Sequence, residues 1–192
     1  MEKAVCLACR LGTRVIQLAG YDVYYEAGGP DTVQYFQENL KKCIAMASRM
    51  GVMLAFETME TPFMDTVEKA NFYVRQIQSP YLNIYPVIGN LTNASRVYGN
   101  SVLSDLKRGA GHLAAAHLKE TIPGVYREVP FGTGHTDFKR CTETLMQMGV
   151  RLFVGEFWYA GETDWPATLR ESNLFLRRYL DAAQASLIPS LG

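Results

Sequence analysis

Three side chains that can bind metal ions stand at the ends of apolar runs in this sequence. Glu57 ends the run LAFE, His117 ends the run LAAAH, and Glu156 ends the run FVGE. Two carboxylates and one imidazole at a common point would bind a divalent ion such as Mn²⁺, Co²⁺, Zn²⁺ or Mg²⁺. A single carboxylate at a strand end is usually only solvated. The three residues therefore predict a metal site if the fold brings their strand ends together.

One local pattern predicts where the strands lie. A helical stretch ends in a bulky residue, a glycine follows, and a β-rich run comes next, as at 11–15, 50–54 and 148–152. Glycine favours the left-handed position that ends a helix, and the apolar run after it is typical of a buried strand. A variant of the pattern begins at Gly111, and one further run follows Ser79-Pro80. The predicted strands lie near 14–19, 52–57, 82–86, 113–118 and 151–156.

Helical stretches alternate with these strands. Their apolar residues recur at helical spacing, with charged residues on the opposite face. Strands that alternate with helices indicate parallel β/α units, here five of them after a leading helix, and no linker interrupts them. We therefore predict a single α/β domain over residues 1–192. The predicted helices lie near 2–11, 32–50, 65–77, 99–109, 137–148 and 166–185.

The polar residues favour a barrel over an open doubly wound sheet. Four of them fall at or just after the carboxyl ends of different predicted strands, where barrel enzymes carry their chemistry. A dinucleotide-binding sheet would have G-x-G-x-x-G directly after a strand, and the sequence contains no such motif. We predict part of a (β/α)8 barrel, with about five parallel units. The four residues are Glu57, Asn90, His117 and Glu156.

Composition argues against several classes of partner. The chain has 19 basic and 19 acidic residues, so it has no global field that would attract nucleic acid. Its first residues lack the apolar core of a signal peptide, and no apolar run approaches the roughly 18 residues that span a bilayer. Cys6 and Cys9 lie within a helical pattern and have no second pair, which favours small side chains in a reducing compartment over a zinc or redox site. We expect a cytoplasmic protein that binds neither nucleic acid nor membrane.

Longer motifs resemble a known family. They occur in order and with the spacing of the 3-epimerases of ketopentose phosphates, above all the L-ribulose-5-phosphate 3-epimerases, which are xylose isomerase-like TIM barrels. The resemblance extends from about residue 2 to about residue 185. It implies an isomerase of carbohydrate metabolism, for example in pentose phosphate conversion or L-ascorbate degradation. The motifs are VIQLAGYDVYY at 15–25, MASR at 46–49, YPVIGNL at 85–91, HLKET at 117–121, PGVY at 123–126, VPFGTG at 129–134 and DF at 137–138.

The resemblance implies a set of metal ligands. The family holds its ion with two glutamates, an aspartate and a histidine. Glu57 and Glu156 match the glutamates, and His117 matches the histidine. The aspartate position is Val87 here, and an apolar side chain cannot coordinate a cation. The expected site therefore has three protein ligands.

The resemblance also implies substrate contacts and a mechanism. Glu60 and Asn90 match positions that face the sugar, and Lys119 could reach a phosphate. Glu57 and Glu156 would act as the acid and base that remove and return the C3 proton of a ketose phosphate through an enediolate. The short segment 132–134 fits either a phosphate-binding turn or an ordinary tight turn.

The family pattern leaves alternatives open. Three β/α units would precede the segment seen here, and the unpaired strand edges of an incomplete barrel would favour a homo-oligomer. One alternative is a non-catalytic barrel fragment that has lost metal binding through truncation and Val87. A phosphodiester-cleaving nuclease of the same superfamily is disfavoured, because the chain has no basic excess and only three histidines. The preferred metal and ketose phosphate stay open.

Overall fold

The computed structural model describes residues 1–187, so residues 188–192 of the predicted domain lie outside the described part. Across those described residues, no helix has an apolar stretch long enough to cross a membrane. The strands are β1 (Val15–Ala19), β2 (Met53–Glu57), β3 (Leu82–Tyr85), β4 (Ala116–Lys119) and β5 (Phe153–Glu156). The helices are α1 (Glu2–Leu11), α2 (Pro30–Arg49), α3 (Val67–Ile77), α4 (Ile88–Tyr98), α5 (Val102–Arg108), α6 (Phe138–Gln147) and α7 (Trp165–Leu187).

The strands are parallel neighbours in chain order, which confirms the predicted arrangement. β1, β2 and β3 form one ladder, and β4 and β5 form another. Two parallel bridges, Ile84 with Leu113 and Val87 with His117, join the two ladders into a partial barrel. The ladder between β3 and β4 is discontinuous because Pro86 has no N–H to donate. Regular β4 therefore begins three residues later than the predicted strand at 113–118.

The two faces of the sheet differ in chemistry. Leu54 and Phe56 of β2 belong to the large buried core that the helices cover. Ala55 of the same strand packs with Tyr85 and Ala115 in a separate small cluster on the other face. Successive strand residues point to opposite faces, so Glu57 lies on the same face as Ala55. This second face, the barrel interior, carries the polar residues at the carboxyl ends of the strands.

Helix α4 was missing from the sequence-based prediction. All of its first seven residues, 88–94, are buried, so it has no polar face to produce an amphipathic pattern. Gly89 allows this burial, because a Cβ there would lie 2.6 Å from the carbonyl oxygen of Lys119. Asn90 therefore lies in the first turn of a helix that packs against β4, just after the end of β3.

A buried carboxylate fixes the start of α3. The carboxylate oxygens of Asp105, on α5, accept hydrogen bonds from the backbone N–H groups of Val67 at 2.8 Å and Glu68 at 3.1 Å. The hydroxyl of Thr66 accepts a third bond, from the N–H of Lys69 at 3.2 Å. These bonds satisfy N–H groups that have no partner inside the helix. They anchor α3, which leads into β3.

The Asp105 contact predicts a measurable loss of stability. In Asp105→Ala, two N–H groups at the start of α3 lose their acceptor, and we expect the free energy of unfolding to fall by about 1–3 kcal/mol. Urea denaturation followed by circular dichroism measures the change. Ser104→Ala, at an exposed site one residue away, is the matched control and should change the stability by less than about 0.5 kcal/mol. Equal stabilities of the two variants would contradict a capping role for Asp105.

Candidate metal centre

Three strands bring the predicted ligands to one point. Glu57 at the end of β2, His117 on β4 and Glu156 at the end of β5 each offer a ligand atom, and these atoms lie within 4.8 Å of one another. Nδ1 of His117 lies 2.8 Å from Oε1 of Glu57 and 3.2 Å from Oε2 of Glu156. The structure thus unites all three residues on the interior face.

Burial and charge act in opposite directions in this cluster. Glu57 and His117 are each only 8% exposed. Burial disfavours the charged imidazole, but contacts with Glu156 and Glu57 outweigh it and raise the pKa of His117 to about 9. Burial likewise opposes the charge of Glu156, yet the contact with His117 and the charge of Lys119 lower the pKa of that carboxyl. Both carboxylates therefore face a positive centre.

The donor set fits a divalent cation. Oε2 of Glu156 is buried and has no hydrogen-bond partner within residues 1–187, although it points at the same imidazole nitrogen as Glu57. A cation at this point would take the place of the proton on that nitrogen. Carboxylate oxygens with one imidazole nitrogen suit Mn²⁺, Co²⁺ and Zn²⁺, and three protein ligands with an open position are common in catalytic sites.

Val87 lies beside this cluster. Its parallel bridge with His117 places its side chain on the same face of the sheet, and it is fully buried. Its N–H donates to the hydroxyl of Thr58 at 2.9 Å, so the backbone at this position is fixed independently of the side chain. Residue 87, next to the three ligands, therefore has an apolar side chain with no donor atom for a metal ion.

Thr58 ties the start of α4 to the end of β2. Besides the bond from Val87, its carbonyl oxygen accepts from Nδ2 of Asn90 at 2.9 Å. Oδ1 of Asn90 is buried and has no hydrogen-bond partner in the described part of the chain. Thr58 was not predicted as a site residue, and its position directly after Glu57 was the only signal. It holds Asn90 close to the carboxylate cluster.

Lys119 belongs to the same cluster. Its Nζ lies 3.0 Å from Oε1 of Glu156 and 4.7 Å from the centre of the Trp158 ring, and the residue is 2% exposed. The ammonium group is therefore shielded from solvent and paired with a candidate metal ligand.

Tyr85 is a further neighbour that the sequence did not single out. It lies opposite Glu57 in the ladder between β2 and β3, and its ring centre is 4.7 Å from that of His117. Burial raises the pKa of its phenol, and the charges of Glu57 and Glu156 add to this shift. Its place two residues before Val87 on the interior face was the only available signal.

Glu60 lies in a second group of charged and polar residues, the Tyr25–Glu60–Arg127 cluster. Oε1 of Glu60 accepts from the hydroxyl of Tyr25 at 2.6 Å and lies 2.7 Å from Nη2 of Arg127. The three residues stand in the loops after β1, β2 and β4, at the carboxyl ends of the strands. Tyr25 and Arg127 were not predicted, because only the fold brings these loops together.

The glycine-containing segment 132–134 is a turn held by the protein itself. Both oxygens of the buried Glu120 accept backbone N–H groups, from Gly132 at 3.0 Å and from Thr136 at 3.0 Å. The N–H of Thr133 donates to the carbonyl oxygen of Pro130. The amides of Gly132 and Thr133 are thus already bonded, which favours the tight-turn interpretation.

Comparisons with known proteins extend over most of the chain. A model of the xylose isomerase-like TIM barrel family matches residues 1–179. The L-ribulose-5-phosphate 3-epimerases UlaE of Shigella boydii and Escherichia fergusonii are 46% identical over 149 residues, which is 78% of this chain and 51% of theirs. The chain thus spans about half the length of these curated relatives.

Solved structures share the fold at low sequence identity. An L-ribulose 3-epimerase superposes with a TM-score of 0.78 at 18% identity, covering 98% of this chain and 69% of that one. A D-tagatose 3-epimerase-like protein superposes with a TM-score of 0.79 at 16% identity, covering 96% and 68%. The likeness to both structures concerns the barrel fold.

The raised pKa of His117 predicts an unusual titration. After removal of metal with a chelator, we expect its imidazole to titrate near pH 9 in an NMR titration, compared with an ordinary value of 6.5. Because the pKa is raised, the stabilisation that the charged ring gives is complete below about pH 6.5 and is lost as pH rises through about 9. Glu57→Gln removes one carboxylate and should lower this pKa, whereas Glu38→Gln, on the exposed face of α2, should leave it unchanged. A wild-type titration near 6.5 would contradict the observed contacts.

Proposed function

Because the chain belongs to the xylose isomerase-like TIM barrel family, we propose that it acts as a metal-dependent 3-epimerase of ketopentose phosphates. The proposed substrates are L-ribulose 5-phosphate and L-xylulose 5-phosphate, which makes it an isomerase of the epimerase class. The observation that carries the proposal is the convergence of Glu57, His117 and Glu156 at the strand ends of a chain that is 46% identical to L-ribulose-5-phosphate 3-epimerases.

The proposed site holds its cofactor with three side chains. Glu57, His117 and Glu156 would bind one divalent cation, either Mn²⁺, Co²⁺, Zn²⁺ or Mg²⁺. When bound, the cation would stabilise the negative charge that develops on the oxygens of the ketose. The unpartnered Oε2 of Glu156 supports this assignment, since a buried carboxylate oxygen ordinarily has a partner.

The two carboxylates are the proposed acid and base. The C3 proton of a 2-ketose is acidic because the adjacent carbonyl delocalises the electron pair of the broken C–H bond, giving an enediolate. One glutamate takes this proton from one face, and the other returns a proton to C3 from the opposite face. Glu57 and Glu156 suit these roles because they approach His117 from different strands. The contact with His117 and the charge of Lys119 lower the pKa of Glu156, which favours its ionised form.

Other residues of the interior are candidates for substrate contacts. Oδ1 of Asn90 is a buried acceptor that suits a sugar hydroxyl, and Glu60 offers a carboxylate on the loop after β2. Lys119 lies among the ligands, so it would contact the same part of the ketose as they do. We propose all three as substrate-binding residues.

We also infer the domain, the partners and the location of this activity. One barrel-type domain over residues 1–192 would bind a small ketose phosphate, without nucleic acid or membrane, and four free cysteines fit a cytoplasmic location. The outer strands β1 and β5 have an unpaired edge within the described sheet, and such an edge suits pairing with another copy of the chain.

A second candidate is a non-catalytic member of the family. The observation that favours it is the fully buried Val87, whose side chain has no donor atom and lies on the same face of the sheet as His117. Such a protein would keep the fold but bind metal too weakly for catalysis. Metal affinity and proton exchange separate the two candidates.

Substitution of Val87 tests the fourth ligand position. We expect Val87→Asp to raise the affinity for Mn²⁺ at least about tenfold, because it adds a charged oxygen beside the existing three ligands. Calorimetric titration of both proteins measures the affinities. Val97→Asp is the matched control, because it adds the same charge near the end of α4, at a residue that is 72% exposed and not part of the sheet. Equal affinities of Val87→Asp and wild type would mean that residue 87 does not face the ion.

Isotope exchange tests the reaction itself. In D₂O with added Mn²⁺, L-ribulose 5-phosphate should gain one deuterium at C3, slowly with the wild type and faster with Val87→Asp, as measured by mass spectrometry. Glu57→Gln and Glu156→Gln should each lower the rate about 100-fold or more, since each removes an acid or base. No exchange in wild type or Val87→Asp, despite saturating metal, would favour the non-catalytic alternative.

A further inference from the structure

The proposed substrate carries a phosphate, and two places where the sequence suggested phosphate binding have other partners. Lys119 is buried and paired with Oε1 of Glu156 at 3.0 Å. The backbone amides of Gly132 and Thr136 are bonded to the carboxylate of Glu120. A phosphate at either place would have to displace a protein carboxylate from a buried contact, which makes both places poor anion sites.

Arg127 offers a more accessible cation at the same end of the strands. Its side chain is 49% exposed. Within residues 1–187, the guanidinium makes its hydrogen bonds through Nη2 alone, to Glu60 and to the hydroxyl of Tyr25. Arginine can bind a carboxylate or phosphate with two parallel N–H groups, and this single-nitrogen contact leaves that capacity for another anion.

Glu60 connects Arg127 to the candidate metal centre. It lies three residues after Glu57, and its side chain is 15% exposed. Burial opposes its charge, but the bond from Tyr25 and the charges of Arg127 and Lys119 lower its pKa. Two cations therefore favour the charged form of Glu60: the buried Lys119 and the exposed Arg127.

The backbone on both sides of this contact is left-handed. Tyr25 has a φ of 53° and Glu128, next to Arg127, has a φ of 59°, values that non-glycine residues seldom adopt. Strained residues of this kind persist only where surrounding contacts hold them, and they concentrate at ligand-binding sites. One strained residue, Tyr25, belongs to the Tyr25–Glu60–Arg127 cluster, and the other, Glu128, follows Arg127 directly in sequence.

We propose that Arg127 binds the phosphate of the ketopentose phosphate and leaves Glu60 when it does so. A phosphate ester carries almost two negative charges near neutral pH, against one on the carboxylate, so it competes well for the guanidinium. Glu60 is then free to accept hydrogen bonds from sugar hydroxyls. Arg127 thereby determines specificity for phosphorylated over free ketoses. The inference rests on the proposed function for the identity of the sugar.

The test compares two sugars that differ only in the phosphate. Calorimetry with Mn²⁺ present measures binding of L-ribulose 5-phosphate and of L-ribulose to wild type, Arg127→Gln and Arg127→Lys. We expect Arg127→Gln to weaken binding of the phosphorylated sugar about tenfold or more, and that of the free sugar less than about twofold. Arg127→Lys should restore part of the loss, because it returns the charge without the paired N–H groups.

Two variants serve as comparisons. Arg177→Gln removes another exposed arginine, paired with Asp181 on α7, and should change neither affinity. Lys119→Gln removes the other candidate cation. If Lys119→Gln selectively weakens binding of the phosphorylated sugar and Arg127→Gln does not, the inference is overturned. Equal weakening of both sugars by Arg127→Gln overturns it as well, since the residue would then only shape the site.

An NMR experiment separates this inference from the proposed function. Inorganic phosphate, added to chelator-treated protein, should shift the side-chain Nε–H signal of Arg127 more than that of Arg177. If the wild type binds neither sugar but phosphate still shifts the Arg127 signal, the epimerase proposal fails and the anion site stands. If phosphate leaves the Arg127 signal unchanged, the anion site is refuted whatever the sugars do.

Discussion

Glu57 and Glu156 place two like charges beside one buried point, and the fold tolerates this because the imidazole of His117 lies between them. Without a positive centre there, burial would push one carboxylate to protonate. Glu57, His117 and Glu156 come from three different strands. The pairing of β2, β4 and β5 with their neighbours therefore fixes the distances among the charges. The buried ammonium of Lys119 adds a second positive charge beside the other carboxylate oxygen of Glu156. The arrangement of strands and the chemistry of the interior therefore depend on each other.

The part of the molecule that could be predicted follows from local rules. Gly12, Gly51 and Gly149 each adopt a positive φ next to a strand, as the repeated pattern suggested. The strand-end positions of Glu57 and Glu156 followed from the same pattern. Helix α4 could not be predicted in this way, because its first seven residues are all buried and the helix lacks the polar face on which periodicity depends.

The rest of the site depends on contacts that are distant in sequence. Thr58 matters because its hydroxyl and carbonyl meet Val87 and Asn90, and nothing in its local sequence indicates this. Arg127 meets Tyr25 across 102 positions of the chain. Such pairs form only when parallel strands bring the loops at their carboxyl ends together, so a reading of single segments cannot find them. The family resemblance supplied the ligand pattern, whereas the geometry supplied its supporting residues.

The way in which position 87 is held has a genetic consequence. Thr58 binds the backbone N–H of Val87 and not its side chain, so the placement of this residue does not require valine. Every valine codon becomes a codon for aspartate or glutamate when its second base changes to adenine. A single point mutation in the gene can therefore place a carboxylate beside Glu57, His117 and Glu156. A fourth metal ligand could therefore be gained or lost here in one mutational step, while the hydrogen bond from the backbone N–H of residue 87 to Thr58 is retained.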